Sequence, residues 1–346
     1  MRLINAKTYA LEEFWDEHAE KYAILSHRWE DGEVSLQDIE SPTALSVIQK
    51  KGLGKIKWSC KQALKDGLQY VWVDTCCIDK KSSAELSEAI NSMFRWYKAS
   101  TVCYGFLSDV DSSSSFRNME RQIRLSKWFT RGWTLQELIA PQDVVFYDQQ
   151  WKQLGTKHSM RKLLSEVTAI DEEILDGSVP ITNYSIAQRM SWIAGRTTTC
   201  VEDTAYCLLG IFDVNMPMLY GEGEKAFSRL QQEIIKHSDD QTILAWPINR
   251  PNQPSLFADH PQAFASCRYI VAAPAMKGGS PYSLTNRGMS IRLMAAPYTT
   301  GIYVARLNCF NLEMSAGGLP PSFRLGIFLK RLNEDDQYAR VEQEGR

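Results

Sequence analysis

The sequence predicts an α/β fold, a parallel sheet with helices on both faces, followed by a β-rich module. Short β-branched and aromatic runs recur at 22–26, 70–74, 101–107 and 143–148, with helical periodicity between them. That rhythm belongs to parallel sheets, whose strands need crossover helices. The run Tyr70, Val71, Trp72, Val73 is apolar on both faces, so it requires cover on both and a place inside the sheet. From Gln241 the texture changes to short alternating runs split by Pro, Gly and Asn, the pattern of small antiparallel strands.

Residues 1–21 show no firm period, and Y-A-I-L-S at 22–26 is the first buried strand. His27, Arg28 and Trp29 stand at its carboxyl end, and Glu30, Asp31 and Gly32 make a turn. Ile56, Cys60, Ala63 and Leu64 recur at helical spacing within 53–68, with Gly67 near the stop. The strand 70–74 ends on Asp74, followed by Thr75, Cys76, Cys77, Ile78 and Asp79. Ser82 and Glu85 form a capping-box pattern ahead of the stripe Leu86, Ala89, Ile90, Met93, Phe94 and Tyr97. After the strand 101–107, the serine- and aspartate-rich stretch 108–116 is expected to be a mobile, lid-like loop directly before the helix that carries Glu137.

Gly132 marks the start of that helix, Pro141 its end, and 143–148 the fourth strand. Helices are expected at 160–169, 186–194, 203–210 and 224–237. The turn Tyr220–Gly223 lacks the Gly-Lys-Ser/Thr of a phosphate loop and is read as structural. The expected organisation is 1–240 for the sheet domain with its helical extension, 241–332 for the β-rich module and 333–346 for a charged tail.

The chain has 346 residues, 39 Lys and Arg, 41 Asp and Glu, and a formal net charge of −2. Without a basic run there is no electrostatic footprint for nucleic acid. No apolar stretch is long enough to span a bilayer and M-R-L-I-N-A-K-T-Y-A lacks a signal-peptide core, so a cytoplasmic location is expected. The 8 cysteines include no CxxC pair, which suggests neither a disulfide framework nor a metal site.

Ligands of open α/β sheets gather at the carboxyl ends of the strands, which points to Ser26, His27, Arg28, Trp29, Asp74 and Cys76 and to the start of the Glu137 helix. Trp133 and Glu137 are spaced to share a helix face, with Leu135 and Leu138 on the buried side. A carboxylate beside an aromatic, withdrawn from water, suits stabilisation of a cationic transition state; a solvated helix glutamate is the plain alternative. His27, Cys76 and Asp74 also admit a Cys-His-Asp hydrolase, although nothing supplies an oxyanion hole. Asp74 equally suits capping of the next turn, and His27 a hydrogen-bonded structural role.

Y-A-I-L-S-H-R-W, V-W-V-D-T-C-C-I-D and W-F-T-R-G-W-T-L-Q-E-L-I-A-P resemble the signature blocks of the fungal heterokaryon-incompatibility (HET) domain. R-M-S-W-I-A-G-R-T-T-T, E-D-T-A-Y-C-L-L-G-I-F and L-Y-G-E-G-E-K-A-F-S-R-L-Q-Q-E-I resemble its continuation, so the likeness covers roughly 20–240. The β-rich remainder resembles a small module that often follows this domain. The family is in turn similar to the flavodoxin-like TIR domain of immune and cell-death signalling, many members of which cleave NAD. L-S-H-R-W stands where TIR domains have Leu-Ser-Phe-Arg-Gly, with His27 and Trp29 departing from Phe and Gly. W-T-L-Q-E-L stands where they have Trp-Cys-Leu-x-Glu-Leu, whose Glu is catalytic.

The resemblance implies a self-associating incompatibility and cell-death protein that takes NAD as substrate and needs no cofactor. Glu137 inherits the catalytic role, Trp133 a pocket wall, and Arg28 or Arg131 the pyrophosphate. Partners implied are copies of the chain or other incompatibility proteins. A non-catalytic module that signals by assembly is the rival reading.

Overall fold

The computed structural model describes residues 1–14, 21–41, 49–113, 115–248, 255–273, 282–314, 324–333 and 336–342. The chain divides into two compact units, Met1–Val179 and Pro180–Arg346.

The first unit is built on a seven-stranded sheet of order β2-β1-β4-β3-β5-β6-β7. Its strands are β1 (Arg2–Asn5), β2 (Leu11–Glu13), β3 (Tyr22–His27), β4 (Tyr70–Trp72), β5 (Val102–Phe106), β6 (Val144–Tyr147) and β7 (Gln153–Thr156). The four expected strands are β3 to β6, and they pair in parallel. All six residues of β3 are buried, as an apolar run covered on both faces must be. β1 pairs antiparallel with β4 and β2 antiparallel with β1, while β7 flanks β6 antiparallel at the other edge. These edges lie in segments without a clear period, because a strand of three or four residues repeats its alternation too few times to stand out.

Among the described residues the helices of this unit are α1 (Leu36–Ile39), α2 (Gly52–Lys65), α3 (Asp74–Cys77), α4 (Ser83–Ala99), α5 (Phe116–Leu125), α6 (Thr134–Ile139), α7 (Arg161–Thr168) and α8 (Glu172–Leu175). From β3 the chain crosses to β4 by way of α2, then returns past β3 to β5 by way of α4. Right-handed crossovers running in opposite directions put α2 and α4 on opposite faces. Side chains agree. The Tyr22 hydroxyl donates to Trp96 O of α4 at 2.6 Å, whereas the Trp58 ring of α2 packs on Tyr104 and Tyr147.

Several expectations for this unit change. The strand expected at 70–74 stops at Trp72, and Asp74 opens the one-turn α3. Only half of the capping box forms, since Ser82 accepts from the Glu85 amide while the Glu85 carboxylate turns to Arg2 and to the Asp79 amide. The loop 108–116 does not lead directly into the Glu137 helix: α5 and a 3₁₀ turn, Lys127–Thr130, intervene. Within that loop Ser112 bonds Asp148 through amide and hydroxyl, while Asp109 accepts from the Ser126 hydroxyl and the Lys127 amide. Ser114 within it lies outside the described residues.

In the second unit α9 (Ile186–Ser191) and α12 (Lys225–His237) fall in expected helical regions, while the single helix expected at 203–210 is two one-turn helices, α10 (Asp203–Tyr206) and α11 (Leu209–Phe212). The glycine turn is structural. Gly221 and Gly223 have φ of 104° and 61°, and both amides donate to Glu202 Oε1. Among the described residues eight short strands follow: β8 (Ile270–Ala272), β9 (Ser283–Thr285), β10 (Gly288–Ser290), β11 (Met294–Thr299), β12 (Ile302–Arg306), β13 (Cys309–Asn311), β14 (Gly326–Arg331) and β15 (Tyr338–Val341). They form two two-stranded ribbons and a four-stranded sheet of order β11-β12-β14-β15. Q-T-I-L at 241–244 is a 3₁₀ turn, and part of the charged C-terminal stretch is strand β15. Among the described residues no helix is long and apolar enough to cross a membrane. Seven of the eight cysteines are buried and all are free thiols.

Candidate functional site

The connection that leaves β3 runs to β4 on one side and the connection that leaves β5 runs to β6 on the other, so the crevice of the parallel sheet lies at the carboxyl ends of β3 and β5. Ser26 and His27 end β3 there, paired with Gly105 and Phe106. Successive strand residues face opposite sides of a sheet, and these two serve separate clusters.

Ser26 is fully buried and its hydroxyl donates to Glu137 Oε2 at 2.5 Å, across 111 positions of sequence. Trp128 Nε1 donates to the same Ser26 oxygen at 3.0 Å. The indole therefore fixes the hydroxyl and the hydroxyl fixes the carboxylate. Glu137 is 7% exposed and faces this relay, not bulk solvent. The Tyr97 hydroxyl of α4, which donates to Leu25 O at 3.3 Å, also lies against Glu137; burial and then the carboxylate charge push its pKa well upward. Cys103 is pushed up by the same two causes. Room for the cluster comes from Gly105, where a Cβ would stand 2.8 Å from the Phe146 ring that packs on Trp128 and Phe129.

The helix α6 is held from its far end. Lys157 is 4% exposed, and its ammonium donates to Leu138 O at 3.3 Å and to Pro141 O, carbonyls at and just beyond the helix C-terminus. Burial lowers its pKa to about 8. A cation there satisfies carbonyls that have no intrahelical donor. Arg131 closes the 3₁₀ turn that enters α6 and Trp133 is the helix N-cap; both are half-buried.

His27 belongs to the second cluster. Its ring nitrogens lie 3.6 Å from Glu33 Oε2 and 4.0 Å from Asp74 Oδ1, too far for hydrogen bonds, and both are buried without one. Burial raises the Glu33 pKa, but contact with His27 and Lys55 outweighs it and holds the carboxyl at about 2. Lys55 also donates to Arg28 O at 3.2 Å. Trp29 is 48% exposed, with Nε1 donating to Asp74 Oδ2 at 2.7 Å and Lys80 Nζ 3.4 Å from its ring centroid. Arg28 is half-buried beside it.

Cys76 does not suit a nucleophile. It is fully buried, its thiol turns back to Val73 O at 3.8 Å, and the adjacent Cys77 sulfur together with burial pushes its pKa well upward. A thiolate is what such chemistry needs. Among the described residues no group of three or more His, Cys, Asp or Glu has a metal-holding arrangement.

The structure thus joins Ser26 to Glu137 and Trp29 to Asp74, with the His27 ring near Asp74 but not hydrogen-bonded to it. Sequence reasoning missed Trp128, Tyr97, Glu33 and Lys55. Trp128 had a signal, since a tryptophan within an apolar turn brings an N–H that needs an acceptor when buried. A buried carboxylate positioned by one hydroxyl can accept a further hydrogen bond from a ligand hydroxyl or stabilise a nearby cation.

The family described as Heterokaryon incompatibility protein (HET) matches residues 22–126, a span that ends before Glu137. The chain is 47% identical over 237 residues to the vegetative incompatibility protein HET-E-1 of Podospora anserina, a match covering 66% of this chain and 17% of that protein. No solved structure matches the chain.

Proposed function

The chain carries a heterokaryon-incompatibility (HET) domain, and from that premise we propose that it is a fungal cell-death effector that cleaves NAD at the nicotinamide N-glycosidic bond, with Glu137 as its catalytic carboxylate. The observation that supports this reading is the Ser26–Glu137 hydrogen bond, which sets a buried carboxylate at the carboxyl end of the sheet's reversal strand.

Nicotinamide is cationic in NAD, so its departure as a neutral amide needs no proton. The bond from ribose C1′ to the pyridinium nitrogen breaks with its electron pair going to nitrogen, and C1′ becomes oxocarbenium-like. Water then adds to C1′ and releases one proton, giving ADP-ribose. Glu137 orients the ribose hydroxyls and offsets the developing positive charge. Ser26 and Trp128 are positioning residues that hold it. Arg28 supplies charge for the pyrophosphate, and the exposed Trp29 face a stacking surface.

The rival reading, a non-catalytic module that acts through assembly with its own copies or with other incompatibility proteins, draws on the low exposure of Glu137 in the single chain. One experiment separates them. Purified chain at concentrations that permit assembly is assayed for nicotinamide release, alongside Glu137→Gln, which keeps the side-chain shape and removes the charge. Loss of such an electrostatic group costs on the order of a hundredfold in rate. The catalytic reading fails if parent and variant kill cells equally and neither consumes NAD, with both melting alike.

A further inference from the structure

The sheet β11-β12-β14-β15 lines a cavity of about 690 Å3, within the usual range for small-molecule sites. Its walls are largely apolar. Ala295 pairs with Ala305 and Ala305 with Ile327, and Leu329, Leu293 and Met289 extend the surface.

Opposite Leu329 on β15 stands Arg340, a cation where the pattern calls for an apolar residue. Arg340 is 7% exposed. Its guanidinium lies 4.0 Å from the Trp246 ring centroid, and Nη2 donates to Trp246 O. Nη1 is buried with no hydrogen-bond partner. Burial lowers its pKa to about 10, so the group is charged at neutral pH. A buried guanidinium nitrogen without an acceptor is costly and calls for an explanation, which a bound acceptor in the adjoining cavity would supply. A neighbouring cavity of about 440 Å3 reaches the same arginine beside Trp246 and Pro247. Charge around the larger cavity is net positive, with Arg287 and Arg292 against Asp336.

We propose that the larger cavity binds a small amphipathic carboxylate, whose hydrocarbon chain lies along Ala295, Ala305, Ile327 and Leu329 and whose head accepts from Arg340 Nη1. The apolar walls select the chain. A single buried guanidinium selects a monoanion, since a phosphate dianion would bring a second negative charge with no buried cation to match it.

The test is calorimetric titration of the delipidated full chain with dodecanoate, dodecanol and acetate. Dodecanoate is expected to bind one to one and at least tenfold more tightly than dodecanol, with acetate far weaker. Arg340→Met should reduce dodecanoate to the affinity of dodecanol and leave dodecanol unchanged. Removing an unpaired buried charge need not unfold the module, and a thermal melt of the variant checks this. Ala295→Trp, at a solvent-accessible strand position, should fill the larger cavity and abolish both interactions, which places the site there and not in the smaller cavity. The proposal is overturned if dodecanol matches dodecanoate on the parent chain, if folded Arg340→Met keeps the preference, or if Ala295→Trp leaves binding intact.

Discussion

Replacing Ser26 with alanine removes the middle of the Trp128–Ser26–Glu137 relay and exposes how much that relay stabilises the first unit. The hydroxyl donates to a carboxylate, a bond worth about 1.5–3 kcal/mol, and its loss leaves the Trp128 N–H buried without an acceptor, a further cost of about 1–3 kcal/mol. The two overlap, because one relaxation can relieve both, and we expect a total near 3 kcal/mol. For a unit of this size, Met1–Val179, about 2–4 °C per kcal/mol makes that a fall in Tm of about 6–12 °C. Scanning calorimetry of the full chain follows the unit's own transition. Trp128→Phe supplies the second arm of a double-mutant cycle, since it deletes the orphaned N–H. The double variant should then be about 1 kcal/mol more stable than the sum of the singles predicts. A Ser26→Ala cost below about 0.5 kcal/mol, or strict additivity with Trp128→Phe, would refute the relay.

Two further outcomes follow from the same unit. Lys157 has an ordinary pKa of 10.5 when unfolded and about 8 in the fold, so between those values the unfolded chain binds more protons and stability rises with pH; below 8 both states are protonated and the group adds no slope. The rise amounts to at most about 3 kcal/mol, and urea midpoints at pH 7.5, 8.5 and 9.5 should climb in the parent chain and lose that component in Lys157→Met. Identical slopes would sink the assignment. Gly105→Ala drives a methyl to 2.8 Å from the Phe146 ring and is expected to cost about 1–3 kcal/mol, partly recovered when Phe146→Leu is added. Full tolerance in denaturant titrations would show that the ring moves aside freely.

The parallel core was legible because β3 to β6 carry apolar residues on both faces, a demand that only an interior strand meets. β1, β2 and β7 were not. They are short, partly exposed and held by pairing to a neighbour, which leaves little trace in side-chain pattern. The end of β4 shifted for a local reason: Cys76 and Cys77 amides bond Val73 O, so the chain turns into a helix before Asp74 can extend the strand. Glu137 was singled out from its motif, but its hydrogen-bond partner was obscured by treating 26–29 as one cluster. Strand alternation alone would have separated Ser26 from His27. The choice of Trp128 as the second donor depends on a contact 102 positions away, and no local rule encodes it.

That sequence separation has a consequence during synthesis. Ser26 leaves the ribosome more than a hundred residues before Glu137, and α6 is anchored by Lys157, which emerges later still. Contacts so distant form late, after the entropy of closing the intervening chain has been overcome. A nascent or truncated chain that stops short of β7 carries the Glu137 helix without its anchor. A fragment that ends before Lys157 therefore lacks the ammonium that holds the Leu138 and Pro141 carbonyls, and with it the far-end support of the helix that carries Glu137.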